Sequence, residues 1–191
     1  MYPLCMSEDQ VLVKAVLLQQ AGAFERLVAS YQNLVWHIVY RMARDEATTE
    51  DLCQEVFLRV HLKLKTFRFE CSLATWIGRI AFRIATRYLK KLKNEPAEPQ
   101  HDPNPLLENL SGKVALEDAL VRSDLAQHIQ ELLNTLPRLQ QTLMVLYYGH
   151  DFSLQEISTM CRQPLGTVKS YLSRARNQVR EKLLAQMKET P

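Results

Sequence analysis

The 191-residue sequence has little of what builds β-sheets, membrane spans or secreted proteins. It holds only five glycines and few runs of β-branched residues, which argues against sheets. No apolar run approaches the roughly 18 residues that a membrane-spanning helix needs. The N-terminus lacks the basic start and uninterrupted apolar core of a signal peptide. We therefore expect an all-α protein in the cytoplasm, with no direct insertion into a membrane.

Cysteine and histidine are also too scattered to predict a disulfide framework or a metal site. The four cysteines are Cys5, Cys53, Cys71 and Cys161, with no close pair among them, and the five histidines show no ligand spacing. Cys53 and Cys161 lie beside apolar helical positions and are predicted to be small core residues. No nucleophile–base pair, phosphate loop or metal cluster is present, so we expect no catalytic residues, no metal and no cofactor.

Charge divides the chain into blocks. Residues 21–93 hold 13 basic and 7 acidic side chains, and residues 121–191 hold 9 basic and 6 acidic ones. Between them, residues 94–120 hold one lysine, six acidic side chains and four prolines, a composition that favours an extended linker. We therefore predict two small helical domains, at 1–93 and 121–191, joined by a flexible Pro-rich linker at 94–120. Two basic blocks suggest two contacts with a polyanion.

Hydrophobic periodicity predicts helices throughout both blocks. Asp45–Glu50 is read as a polar break between the second and third helices, and Ser72 as a possible cap of the fourth. Pro137 suits a first helical turn and Gly149 a helix stop. The predicted helices are residues 8–20, 23–44, 50–64, 72–93, 121–134, 137–148, 153–161 and 167–187.

The fourth predicted helix combines an aromatic ring with a row of cations. At about 100° per residue, the cationic set and one tryptophan fall within an arc of about 80°. Guanidinium and ammonium groups can hold phosphates, and an indole can stack on an exposed base. A solvated basic face with the tryptophan partly buried explains the pattern equally well. The set is Trp76, Arg79, Arg83, Arg87 and Lys90.

The third predicted helix carries acidic and amide side chains near its expected start. They are Glu50, Asp51, Gln54 and Glu55. Acidic side chains at that end of a helix complement its dipole, which is a structural reason for them. They could also form a docking surface for a basic partner.

The most informative stretch is residues 153–183, SLQEISTMCRQPLGTVKSYLSRARNQVREKL. Ser153 and Glu156 fit a capping box at the start of a helix. Pro164 and Gly166 are expected in a break, after which a second helix starts near Thr167. Helix, turn and basic amphipathic helix are the layout of a helix-turn-helix that places its second helix in the DNA major groove.

That second helix has one apolar stripe and a polar, basic remainder. Val168, Leu172, Ala175, Val179 and Leu183 form the stripe. The residues off the stripe are Lys169, Ser170, Ser173, Arg174, Arg176 and Arg180. A solvated charged helix on an ordinary bundle is the simpler alternative.

Taken together, three stretches resemble the extracytoplasmic-function (ECF) sigma factors, the two-domain bacterial initiation factors. The first, TEDLCQEVFLRVHLKLKTF, resembles the segment that grips the clamp helices of the polymerase largest subunit. The second, CSLATWIGRIAFRIATRYLKK, resembles the segment that melts and reads the minus-10 element. The helix-turn-helix resembles the domain that reads the minus-35 element. The resemblance spans residues 21–93 and 121–186.

The resemblance implies roles for particular residues. Asp51, Gln54 and Glu55 match polymerase-contacting positions, which favours the docking interpretation of the third helix. Trp76, Arg79 and Arg83 match positions that contact the separated strand, and Arg87 and Lys90 extend that row. The positions that match contacts to the minus-35 element are Lys169, Ser170, Ser173, Arg174 and Arg176.

The resemblance also implies partners and leaves alternatives. It implies core RNA polymerase, promoter DNA and an anti-sigma factor, commonly one anchored in the inner membrane. The chain departs from the family at Arg83, where asparagine is usual, at Arg87, where aspartate is frequent, and at Arg162, where the turn usually has glycine. A two-domain helix-turn-helix regulator that never touches core polymerase is the first alternative, and an enzyme is the second.

Overall fold

Residues 7–94 and 131–189 are described by the computed structural model, with side chains for 7–92 and 131–185. Every regular element in these ranges is helical, which confirms the all-α prediction. Apart from Asn94, the predicted linker lies outside the described residues. Of the predicted helix 121–134, residues 131–134 are described and helical.

The first block contains four long helices. They are α1 (Glu8–Leu17), α2 (Ala23–Ala43), α3 (Glu46–Lys63) and α4 (Leu73–Asn94), with a 3₁₀ turn at Leu64–Thr66 after α3. Ser7 caps α1 in a capping box with Gln10. The Ser72 hydroxyl accepts the Thr75 N–H at 3.1 Å, so the predicted cap of α4 is confirmed.

The predicted polar break at 45–50 is wrong, because α3 begins at Glu46. The Asp45 side chain accepts the Thr48 N–H at 2.7 Å and so caps the helix four residues earlier than expected. Arg44 reverses the chain in a left-handed conformation at φ 60°. The acidic residues from Glu50 onward therefore lie beyond the first turn, where the helix dipole no longer accounts for them.

The second block holds α5 (Arg138–Met144), which continues as a π-helical turn at Val145–Gly149, then α6 (Leu154–Cys161) and α7 (Leu165–Glu189). The capping box of Ser153 and Glu156 is confirmed. The predicted start near Thr167 is two residues late, because the Pro164 carbonyl already accepts the Thr167 N–H at 2.9 Å. Gly166 consequently lies in the first turn of α7 rather than in a break.

The two blocks pack against each other in one continuous hydrophobic core. Helices α2 and α4 of the first block contact α5 and α6 of the second. Ile38 and Ile77 belong to the same cluster as Leu146 and Ile157, and all four are essentially inaccessible to solvent. Apolar side chains are thus shared across the block boundary.

Gly78 permits the closest approach between the blocks. A Cβ at this position of α4 would lie 2.8 Å from the Met160 sulfur of α6 and 3.5 Å from Cδ1 of Ile38. Carbon and sulfur do not approach that closely without repulsion, so a larger residue would force the Met160 side chain out of its position. The buried Met160 side chain fills the notch that the glycine leaves.

Polar contacts fix the same interface at both ends. At one end, Arg138 donates to the Met42 carbonyl at 2.9 Å. At the other, the Thr75 hydroxyl donates to the Glu156 carboxylate at 3.1 Å. Hydrogen bonds to charged groups contribute more than neutral ones, so these contacts also specify the register of the two blocks.

Arg162 closes α6 in a left-handed conformation, with φ 52° and ψ 43°. The sequence left open whether this residue, which stands where glycine is usual, would be left-handed. For a residue with a Cβ this conformation costs about 1 kcal/mol. The turn of the helix-turn-helix therefore keeps its geometry at the expense of local strain.

We expect Arg162→Gly to raise the free energy of unfolding by about 0.5–1 kcal/mol, because glycine has no Cβ to strain. The matched control is Arg180→Gly in the interior of α7, which should lower it by about 1 kcal/mol. Urea unfolding followed by circular dichroism measures both. A destabilised Arg162→Gly protein would contradict the strain at this turn.

Candidate nucleic-acid and partner interfaces

The cations predicted on the fourth helix do lie together. Arg79, Arg83, Arg87 and Lys90 of α4 line one cleft, of about 410 Å³. Arg59 of α3 joins them there. Of the α4 cations, Arg79 is half-buried and the other three are exposed, so the row can contact a phosphate backbone.

Trp76 is separated from this row by burial. Its side chain is only 7% exposed, and its ring centroid lies 5.3 Å from that of Phe67. A helical wheel places Trp76 beside the cations because it omits the segment between α3 and α4, which covers the start of α4. In this arrangement the indole packs in the core and is not available to a base.

Glu55 joins the acidic side of α3 to the cationic row. Its carboxylate pairs with Arg59 at 3.3 Å and with Arg87 of α4. The pairs are partly exposed, so each contributes little to stability. The pair with Glu55 does position Arg87, which stands where aspartate is frequent in the family that the sequence resembles.

Helix α3 also presents two leucines that the sequence analysis missed. Leu58 and Leu62 are each 59% exposed. At about 100° per residue they share an arc of about 60° with Asp51 and Glu55, and Gln54 borders that arc. The sequence could have indicated them, because neither belongs to the apolar stripe of Leu52, Val56, Val60 and Leu64. We call Asp51, Gln54, Glu55, Leu58 and Leu62 the α3 face.

The α3 face mixes exposed apolar side chains with acidic ones. Exposed leucines at adjacent turns of one helix form a contiguous apolar strip, and such strips rimmed by polar groups are typical of protein–protein interfaces. The dipole explanation does not apply, since Glu46 is the acidic residue of the first turn. The face therefore has the chemistry of a docking surface for a partner that is itself apolar and basic.

The polar side of α7 is open to solvent as the sequence predicts. Val168, Leu172 and Ala175 are at most 3% exposed and hold the helix against its block. On the other side, Ser170 is half-buried, and the exposed members are Lys169, Ser173, Arg174 and Arg176. This exposed basic side, carried by the second helix of a helix-turn-helix, is what major-groove binding needs.

A histidine pair lies in the boundary between the blocks. Nδ1 of His37 and Nε2 of His150 are 2.8 Å apart, although the residues are 113 positions apart in sequence. Burial, and then the charges of His150 and Arg41, lower the pKa of His37 from 6.5 to about 4. Burial also lowers the pKa of His150. The boundary thus holds two neutral imidazoles joined by a hydrogen bond.

Burial holds two of the thiols in their neutral form. Cys161 is buried, as predicted, and burial raises its pKa to about 12. Cys53 is half-buried, and its pKa is also about 12, through burial and then the charge of Glu50. Across the described residues, no set of three or more histidine, cysteine and acidic side chains could hold a metal ion. None of the helices at 7–94 and 131–189 is both long and apolar enough to cross a bilayer.

Comparison with known families matches both blocks. Residues 27–95 match the family described as Sigma-70 region 2, and residues 126–179 match Sigma-70, region 4. The ECF RNA polymerase sigma factor SigW of Bacillus subtilis is 30% identical over 176 residues, covering 90% of this chain and 94% of that protein. The ECF sigma-E factor of Escherichia coli is 30% identical over 182 residues, with coverage of 92% and 94%.

Solved structures show the same fold. CnrH in complex with the cytosolic domain of CnrY has a TM-score of 0.63 at 16% identity, over 93% of this chain and 97% of that one. The sigma factor RpoE of Bartonella quintana, in complex with the anti-sigma factor NepR, has a TM-score of 0.66 at 20% identity, over 85% and 98%.

We expect the free energy of unfolding to be highest above pH 6.5 and to fall as the pH drops toward 4, because the folded state keeps His37 and His150 neutral. Below pH 6.5 protonation of the two imidazoles favours the unfolded state, in which the pair is broken and both rings are hydrated. Urea midpoints across this pH range measure the decline. His37→Gln should flatten it and His61→Gln should not, so equal slopes in both variants would refute a role for the pair.

Proposed function

The chain belongs to the ECF group of RNA polymerase sigma factors, and we propose that it recruits core polymerase to promoters through the α3 face, the α4 cations and α7. The observation that carries this proposal is the presence of all three surfaces in one chain. In this proposal the protein acts in the cytoplasm and has no catalytic residues of its own. It consists of two domains, at 1–93 and 121–191, joined by a linker at 94–120.

Core polymerase docks on the α3 face. Asp51, Gln54 and Glu55 supply the polar contacts, and the exposed Leu58 and Leu62 supply the apolar area. Apolar anchors with a polar rim are the usual anatomy of a specific interface. Asp51, Gln54, Leu58 and Leu62 are exposed in the described structure, so docking on them needs no separation of the blocks.

The minus-35 element is read by α7, through Lys169, Ser170, Ser173, Arg174 and Arg176. The minus-10 strand is held by Arg79, Arg83, Arg87 and Lys90, and Trp76 stacks on a base once the segment that carries Phe67 moves off it. Elements near positions −35 and −10 lie about 25 base pairs apart, or about 85 Å at roughly 3.4 Å per base pair. Packed blocks cannot span that distance, so the blocks separate on the promoter.

An anti-sigma factor, anchored in the membrane, restrains the chain. The sigma factor RpoE, which has the same fold, has been solved in complex with an anti-sigma factor, NepR. An inhibitor would need to cover the α3 face and to bind across the boundary, in contact with both blocks. The inhibitor would then stabilise packing that the chain already has.

Run-off transcription with purified core polymerase and a library of promoters tests the function directly. We expect promoter-dependent transcripts that require this chain. A helix-turn-helix regulator that never binds core polymerase would bind DNA without producing them. The exposed leucines of the α3 face argue against that alternative, since DNA binding gives them no role.

We expect Asp51→Lys combined with Leu58→Asp to reduce core binding at least about 100-fold, since it reverses a charge and removes an apolar anchor. Glu46→Lys, an equal charge reversal outside the face, is the control. Native gel shifts with core polymerase measure binding, and circular dichroism checks the fold. A folded double variant that binds core like the parent excludes the α3 face.

Arg174→Ala should weaken promoter binding by about 1–3 kcal/mol and relax preference at one base position, as loss of a bidentate base contact does. Fluorescence anisotropy with a set of minus-35 variants measures both quantities. Arg180→Ala, on the same helix but outside the proposed contacts, is the control. A uniform loss across all sequences would make Arg174 a phosphate contact instead.

A further inference from the structure

We propose that the cleft between α3, α4 and the end of α6 is a binding site for a small ligand that carries several phosphates. This goes beyond the recruitment of polymerase and does not depend on it. The site is formed by both blocks together, so it exists only while they are packed.

Charge is the first argument for an anionic ligand. Helix α4 contributes Arg79, Arg83, Arg87 and Lys90, and α3 contributes Arg59 and Lys63. Within the residues that the structure describes, Glu55 is the carboxylate that pairs with this group, through Arg59 and Arg87. Cations that line one cleft repel one another, and a polyanion between them relieves that repulsion.

Arg162 is the second argument. It belongs to the other block, lines the same cleft, and occupies a left-handed position that glycine takes without strain. The chain thus retains both a strained backbone and an added positive charge at one point. The turn accounts for the backbone conformation, and what arginine adds over glycine is a positive charge at the cleft, which a bound anion would neutralise.

The shape of the cleft is the third argument. Its volume of about 410 Å³ falls within the range of small-molecule sites. Its lining is not purely cationic, since the half-buried Ile80 contributes apolar surface. Phosphates would lie along the α4 cations, and an apolar group such as a nucleobase would find a surface beside them.

Binding there would favour the packed arrangement. A ligand that contacts Arg162 and the α4 cations together binds the packed chain better than the separated one, so it shifts the equilibrium toward packing. It also occupies cations that would otherwise hold the minus-10 strand. Such a ligand would oppose promoter engagement and leave Asp51, Leu58 and Leu62 of the α3 face exposed.

Isothermal titration calorimetry of the full chain at physiological ionic strength tests the site, with inorganic tripolyphosphate, ATP, GTP and orthophosphate as probes. We expect one saturable site, with tripolyphosphate binding at least roughly tenfold tighter than orthophosphate. Tighter binding of a nucleotide than of tripolyphosphate would identify the apolar lining as a base site. Equal affinities for the nucleotides and tripolyphosphate would show that the site recognises the phosphates alone.

Arg162→Gly should weaken tripolyphosphate binding roughly tenfold, the loss of one charge-assisted contact. Arg180→Ala, which removes the same charge from α7 outside the cleft, should change it less than about twofold. Equal losses in both variants, no effect of Arg162→Gly, or no saturable binding would overturn the proposal. Glycine relieves strain at position 162, so a misfolded variant is not the expected cause of a loss. Gel shifts with core polymerase, which should be normal for Arg162→Gly, keep this result separate from the sigma-factor function.

Discussion

The approach of α6 to α4 at Gly78 is the contact on which the arrangement of the chain depends. A notch without a side chain admits the Met160 thioether, and Met160 brings the helix-turn-helix against the first block. The shared core, the His37–His150 pair and the Thr75–Glu156 hydrogen bond all belong to the boundary that this approach creates. Any side chain larger than hydrogen at position 78 would have to displace the Met160 thioether from this notch.

This packing orders the steps of initiation that we propose. The α3 face is exposed while the blocks are together, so core polymerase can bind first. The elements of a promoter are too far apart for packed blocks, so the boundary must then open. Water can replace each hydrogen bond of the boundary, but opening also exposes the apolar side chains shared across it, and binding to polymerase and promoter must offset that cost. An anti-sigma factor and a polyphosphate ligand would each shift the equilibrium between packed and separated blocks, and each would bind a different surface.

Local signals in the sequence predicted most of the fold and much of the surfaces. The Ser153–Glu156 box, the Val168–Leu172–Ala175 stripe and the row of α4 cations each depend on neighbours within one helix, which periodicity reports. The start of α3 was misplaced because polar residues were read as a break, while Asp45 caps a helix there.

Features created by tertiary contact had no such signal. His37 and His150 are too far apart in sequence for any spacing rule to join them. Trp76 was grouped with cations because a helical wheel does not include Phe67, which covers it. Gly78 gave no hint of Met160. Leu58 and Leu62 were the exception, since leucines off a buried stripe could have been recognised as an exposed face.

Single-molecule energy transfer between dyes at Gln32 on α2 and Asn177 on α7, both exposed positions, measures the separation of the blocks most directly. We expect high transfer in the free chain and low transfer in the complex with core polymerase and promoter. Gly78→Leu should lower transfer in the free chain alone. Equal transfer in the free chain and in the promoter complex would contradict the opening that this mechanism requires.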